Sequence, residues 1–184
     1  MLTLTPPPRA AVGGVAYAAA MPARNEPGNW DFFISHTQRN GDAVALATDL
    51  YYSLEKRGHS VWFDVKMRDK STAAMEEGVR GSRCVIAIIT EGPGADDNYF
   101  RRTYCLKELR WAFGAGVMVK PAVRIEDKQK IGSFVASAPD DLKRLGDIEF
   151  VDLYRGDVEH FELAVSKFVR ALPADVAPAA PTDV

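Results

Sequence analysis

The side chain best placed for chemistry lies in the segment Tyr104-Cys105-Leu106-Lys107-Glu108-Leu109. On a helix, Tyr104, Glu108 and Trp111 fall at i, i+4 and i+7 and form one row along a flank. Cys105, Leu109, Ala112 and Phe113 make the core-facing stripe beside it, with Lys107 and Arg110 pointing outward. A glutamate between two aromatic rings at a cleft edge has apolar walls, which disfavour its charge and raise its pKa. The same spacing also describes a solvated helix glutamate, so a role for Glu108 depends on where its helix sits. Other candidates, Ser35, His36 and Arg39, occur where an apolar run gives way to polar residues.

The elements that must position these residues follow from patterning. Trp30 to Ser35 is a short apolar run and predicts a buried strand. Val44, Ala47, Leu50, Tyr51 and Leu54 recur at helical spacing, and Gly58 suits the left-handed position that ends a helix. Ser60 to Asp64 predicts a second strand, Val65 to Ser71 a polar loop, and Thr72 to Gly81 a helix. Cys84 to Ile89 is apolar at every position, as expected of a central parallel strand covered on both faces. The loop Glu91 to Asp97 leads to a helix over Tyr99 to about Gly114. Val117 to Arg124 reads as a strand that Pro121 should make irregular. A polar stretch with a short helix near Pro139 to Leu145 follows. Asp147 to Leu153 predicts a fifth strand, and Val158 to Leu172 a final helix. Strands alternating with helices predict an α/β fold: a five-stranded parallel sheet between two helical layers, in the flavodoxin-like order 2-1-3-4-5. In such sheets ligands bind beyond the strand carboxyl ends where the order reverses, here between strands one and three.

That location tests several chemistries. A phosphorelay receiver needs an aspartate ending strand three and acidic metal ligands after strand one, but the chain has Thr90 and Ser35-His36 there. Thr37-Gln38-Arg39-Asn40 is a poor flavin-phosphate loop, and neither a Gly-x-Gly-x-x-Gly nor a Walker-type loop is present. His36, His59 and His160 lack the spacing of zinc ligands. No Ser-His-acid triad assembles from local signals.

Composition sets the frame. The chain has 184 residues, 47% of them apolar, and a net charge of −2, which gives no electrostatic case for nucleic-acid binding. No apolar run reaches the ~18 residues that a membrane-spanning helix needs. Cys84 and Cys105 lie in apolar segments outside any Cys-x-x-Cys pair, so two buried thiols and a reducing, cytoplasmic setting are expected. Residues 1–28 are expected to be a disordered leader, although their lack of acidic residues before Asn25 and their alanine-rich run also suit a targeting peptide, with Met21 an alternative start. Residues 29–172 form the folded domain and 173–184 a disordered tail.

Asp31-Phe32-Phe33-Ile34-Ser35-His36 resembles the first box of TIR (Toll/interleukin-1 receptor) domains. Gly58 to Asp64 resembles their second strand, and Glu77 to Arg83 their junction into strand three. Asn98-Tyr99 followed by Cys105-Leu106-Lys107-Glu108-Leu109 resembles the plant-type and bacterial-type pattern, and the similarity runs from about Asp31 to Leu172. The family contains signalling scaffolds and enzymes that cleave NAD⁺ at the nicotinamide–ribose bond. The resemblance implies that Glu108 is catalytic and that Tyr104, where the family usually has Trp, keeps a stacking surface in the pocket. It implies a substrate-binding set of Ser35, His36, Arg39, Trp62, Asp64, Tyr104 and Cys105, although Trp62 suits a core better than a ligand contact. It also implies NAD⁺ or NADP⁺ as substrate rather than cofactor, no other cofactor, and self-association through TIR–TIR contacts in immune or cell-death signalling. Met67 to Thr72 departs from the family pattern in lacking Pro and Gly, which leaves the assembly geometry open. A non-catalytic scaffold and a nucleotide sensor are the alternatives.

Overall fold

A computed structural model describes residues 30–94 and 97–173. The expectations for residues 1–28 and for the tail from 174 onward fall outside the described residues. The elements run β1 (Trp30–His36), α1 (Gly41–Lys56), β2 (Val61–Trp62), α2 (Thr72–Arg80), β3 (Ser82–Ile89), α3 (Thr103–Gly114), β4 (Met118–Arg124), α4 (Ile131–Ser137), β5 (Val151–Leu153) and α5 (Val158–Ala171). All pairings are parallel and the sheet order is β2-β1-β3-β4-β5, the flavodoxin-like arrangement.

The alternation of β3 divides the core in two. Cys84, Ile86 and Ile88 pack toward α1 and α5, while Val85, Ala87 and Ile89 pack toward α2 and α3. Every residue from Cys84 to Ile89 is fully buried, so its continuous apolar run reflects cover on both faces. The helix after β1 begins at Asn40, whose side-chain oxygen accepts from the Asp42 and Ala43 amides. Asn40 Nδ2 also donates to the Glu91 carbonyl at 2.7 Å, tying the loop after β1 to the one after β3. Gly58, at φ 85°, supplies the left-handed turn beyond α1.

Four local expectations are corrected. The second strand is only Val61–Trp62, because Asp64 already opens a 3-10 turn over Asp64–Lys66. The helix expected from Tyr99 is split: a 3-10 turn, Tyr99–Arg101, is separated from α3 by Arg102 in an extended conformation. The fifth strand shortens to Val151–Leu153, since 3-10 geometry holds Asp140–Asp147. Pro121 leaves β4 regular. Residues Met118 to Val123 pair with β3 in unbroken register, and β5 pairs only from Ala122 onward, so Pro121 lies where β4 has no neighbour on its outer side. No helix among the described residues is long and apolar enough to cross a membrane.

Candidate functional site

A cleft of about 550 Å³ opens at the carboxyl end of β1. Its walls come from four places, one of them Met75 of α2. His36 to Arg39 end β1, Asp64 and Lys70 stand in the segment after β2, and Arg101 to Glu108 lead into and through the first turns of α3. Thr90, which follows β3, does not line it. The cleft is therefore displaced toward β2 from the position between strands one and three that topology alone suggests.

Glu108 lies at its floor and not on a solvated flank. The buried face of α3 is Cys105, Glu108, Leu109 and Ala112, with Phe113 only partly covered. Glu108 is 8% exposed. The stripe is rotated by a fraction of a turn from the expected one, and Glu108 occupies the place given to Phe113. Opposite it stands Ser35, a polar side chain fully buried near the end of β1. Ser35 Oγ lies 2.5 Å from Glu108 Oε2 and 2.5 Å from the Tyr99 hydroxyl.

The electrostatics of this cluster follow from burial. Burial pushes the Glu108 carboxyl up to about 8; the Ser35 hydrogen bond opposes the rise and the Asp64 charge adds to it. The phenol of Tyr99 and the thiol of Cys105 stand well above their ordinary values, chiefly through burial, so both keep their protons. Burial lowers the His36 imidazole, against the pull of Asp64 and of a backbone hydrogen bond at Ile34. The Cys105 thiol donates to the His36 carbonyl at 3.5 Å, which fastens α3 to β1. Asp64 accepts from Gln38 Nε2 and, at 2.7 Å, from the Val65 amide. Around the mouth, Arg39, Lys70 and Arg101 have no carboxylate partner among the described residues, whereas Arg102 is paired with Asp97. The rim is thus cationic in a protein whose net charge is −2.

The residues expected at the site divide cleanly by position. His36, Arg39, Asp64, Tyr104, Cys105 and Glu108 line the cleft, and Ser35 touches Glu108 from behind. Tyr104 is at the rim, 48% exposed, with Lys107 Nζ 5.1 Å from its ring centre. Trp62 is not brought there. It is 3% exposed and stacks on Phe33 at 4.5 Å, in a slot that Gly78 of α2 leaves open. Sequence reasoning missed Lys70, Arg101 and Arg102 at the cleft, and Tyr99 behind Ser35. Arg101-Arg102 carried a signal: a basic pair before a helix N-terminus opposes the helix dipole, so its gain must come from elsewhere.

The model of the TIR domain matches residues 32–168, nearly the whole described fold including Ser35 and Glu108. The chain belongs to the TIR-domain family. Solved structures share this TIR fold at low identity. The TIR domains of the activated Roq1 resistosome recognising the pathogen effector XopQ align at 18% identity and a TM-score of 0.53, over 77% of this chain and 98% of that one. The TIR domain of the Toll-related receptor TRR-2 from Hydra magnipapillata aligns at 14% and 0.52, over 77% and 96%. A TIR-STING receptor from C. gigas in complex with 2',3'-cGAMP aligns at 17% and 0.53, over 77% of this chain and 40% of that longer one. No curated protein matches by sequence.

Proposed function

We propose that this TIR domain cleaves the nicotinamide–ribose bond of NAD⁺, with Glu108 as the catalytic carboxylate. One observation carries the reading: Glu108 is buried at the floor of a cleft with no cation among the described residues paired to it. A buried carboxylate normally finds a cation in the fold. A substrate that brings a pyridinium, and then an oxocarbenium, supplies the missing charge. Such a cation favours the ionised carboxylate and draws its pKa down from the value in the empty cleft.

The reaction needs little else. The C1′–N1 bond breaks and its electron pair passes to the ring nitrogen, so nicotinamide leaves neutral and needs no general acid, unlike an ordinary glycoside. The ribose C1′ becomes cationic, and ionised Glu108 stabilises it in a site already organised for that charge. Water then adds to C1′ and loses a proton, giving ADP-ribose. An adenine nitrogen or a ribose hydroxyl adding in its place gives a cyclic isomer. Arg39, Lys70 and Arg101 suit the diphosphate, as does the half-buried Arg102, and Tyr104 offers a ring at the rim. TIR–TIR contacts that complete the cleft, and a role in immune or cell-death signalling, belong to the same proposal.

Purified protein at high concentration with NAD⁺ should release nicotinamide, with ADP-ribose or a cyclic isomer seen by chromatography. Glu108→Ala should release at least about 100-fold less, as for loss of a principal charge-stabilising group. No release at any concentration, alongside concentration-dependent assembly, would return the domain to a scaffold.

A further inference from the structure

We propose that Tyr99 and Ser35 are positioning residues for Glu108, forming a directed hydrogen-bond chain from the Tyr99 hydroxyl to Ser35 Oγ and from the Ser35 hydroxyl to Glu108 Oε2. The chain holds one carboxylate oxygen, leaves the other for the ligand, and favours the ionised form of Glu108. This rests on reading Glu108 as the carboxylate that meets the ribose cation.

The direction of the chain follows from counting protons. Tyr99 is fully buried and its phenol stays protonated. Ser35 has one proton and lies 2.5 Å from both the Tyr99 hydroxyl and Glu108 Oε2, while the nearby Cys105 thiol keeps its own proton and gives it to the His36 carbonyl. An ionised Glu108 only accepts, so Ser35 must donate to it, and Tyr99 then donates to Ser35. A proton on Oε2 reverses the bond between Ser35 and Glu108, which then donates to Ser35 Oγ. The charged state therefore receives a hydroxyl that a second hydroxyl has already polarised, which strengthens the bond to the carboxylate. Oε1 has no partner among the described residues, and it is not among the atoms sealed from solvent, so it is the oxygen open to the cleft.

Each member stands on a rigid element. Ser35 is paired with Ala87 in the centre of the sheet. The Tyr99 amide donates to the Thr90 carbonyl at 3.0 Å, and Asn98 Oδ1 caps the 3-10 turn by accepting from the Phe100 amide at 2.9 Å. The other polar groups around Glu108 do not share this role. Asp64, after β2, disfavours its charge. Cys105, one turn earlier on α3, keeps its proton and donates to a backbone carbonyl. His36 on β1 is held toward its neutral form by burial, and Arg102, before α3, is engaged by Asp97. Of the groups that shift Glu108, Ser35 is the one that favours the carboxylate, and Tyr99 acts through it.

The test separates this chain from the function it serves. Full-length protein with ¹³C-labelled glutamate is titrated by NMR, with the Glu108 resonance assigned by its loss in Glu108→Gln. Ser35→Ala should raise the ionisation midpoint by about one pH unit, a tenfold change in the charged fraction below the midpoint. Tyr99→Phe should raise it by less, in the same direction. Nicotinamide release by Ser35→Ala should fall by about the same factor at pH 7 and recover as pH rises past the new midpoint, which a merely structural defect would not do. Midpoints unchanged or lowered in both variants would overturn the proposal. If Ser35→Ala does not fold, Tyr99→Phe decides alone. Raised midpoints in a protein that releases no nicotinamide would leave the chain standing and remove the NAD⁺-cleavage reading.

Discussion

Glu108 and Asp127 are the buried carboxylates among the described residues, 8% and 1% exposed, and they are kept in opposite ways. Asp127 lies in the 3-10 turn after β4 and accepts from Arg124 at 2.7 Å and Lys130 at 3.3 Å. Those cations reach further, Arg124 to Asp42 at 2.6 Å and Lys130 to Glu91 at 2.6 Å, so the group clips the end of β4 to the start of α1 and the loop after β3. Glu108 has hydroxyl support and no paired cation among the described residues. One region gives its buried carboxylate two cations and serves the fold. The other keeps its carboxyl by holding a proton, and once that proton leaves it is one positive charge short, a shortfall that a cationic substrate can fill.

The largest expected effect is on how stability depends on pH. Glu108 titrates near 8 in the folded protein against an ordinary 4.5, so the folded state holds a proton that the unfolded state has released across that interval. Stability from this group is full below about pH 4.5 and falls as pH rises, by up to about 1.4 kcal/mol per unit, until about pH 8. Glu108→Gln cannot titrate and should become the more stable protein by a few kcal/mol near pH 8, measured by urea unfolding at several pH values. Parallel profiles for the two proteins would erase the contrast with Asp127.

Asp127→Asn should do the reverse, costing about 2 kcal/mol through lost charge-assisted hydrogen bonds while leaving nicotinamide release per folded molecule unchanged. The rim sharpens the same contrast at about tenfold: Arg101→Ala should raise KM by about that factor with little change in kcat or melting temperature, as for loss of one phosphate contact. Arg124→Ala should instead lower the melting temperature and leave KM alone. The smallest effect belongs to Tyr104→Ala, a rise in KM of about three- to fivefold from a half-exposed ring. Steady-state kinetics and thermal melts on the same preparations check all three.

Much of the fold was legible because its signals are local. The wholly apolar β3, the helical spacing before Gly58 and the strand–helix alternation each pointed to one answer, and the observed sheet order followed. The site was legible in part. Its segments were identified, but the rotation of α3 was not, because the extended Arg102 that separates it from the Tyr99 turn left no sequence pattern. Ser35 is the only cue that Glu108 turns inward, and that cue exists only once β1 and α3 are packed together. Trp62 could be read as core or as pocket wall, and its place in the core is visible only once Gly78 and Phe33, on two other elements, make its slot. Asp127 was invisible because its partners, three residues to either side in a polar stretch, look like an ordinary solvated run of charges.

The most direct test of the difference between the two carboxylates measures nicotinamide release from NAD⁺ by Glu108→Gln and Asp127→Asn side by side, at high protein concentration. If Glu108 supplies the charge that the reaction develops, its variant should lose at least about 100-fold while Asp127→Asn keeps the wild-type rate. Equal release by Glu108→Gln and wild type would contradict a catalytic Glu108.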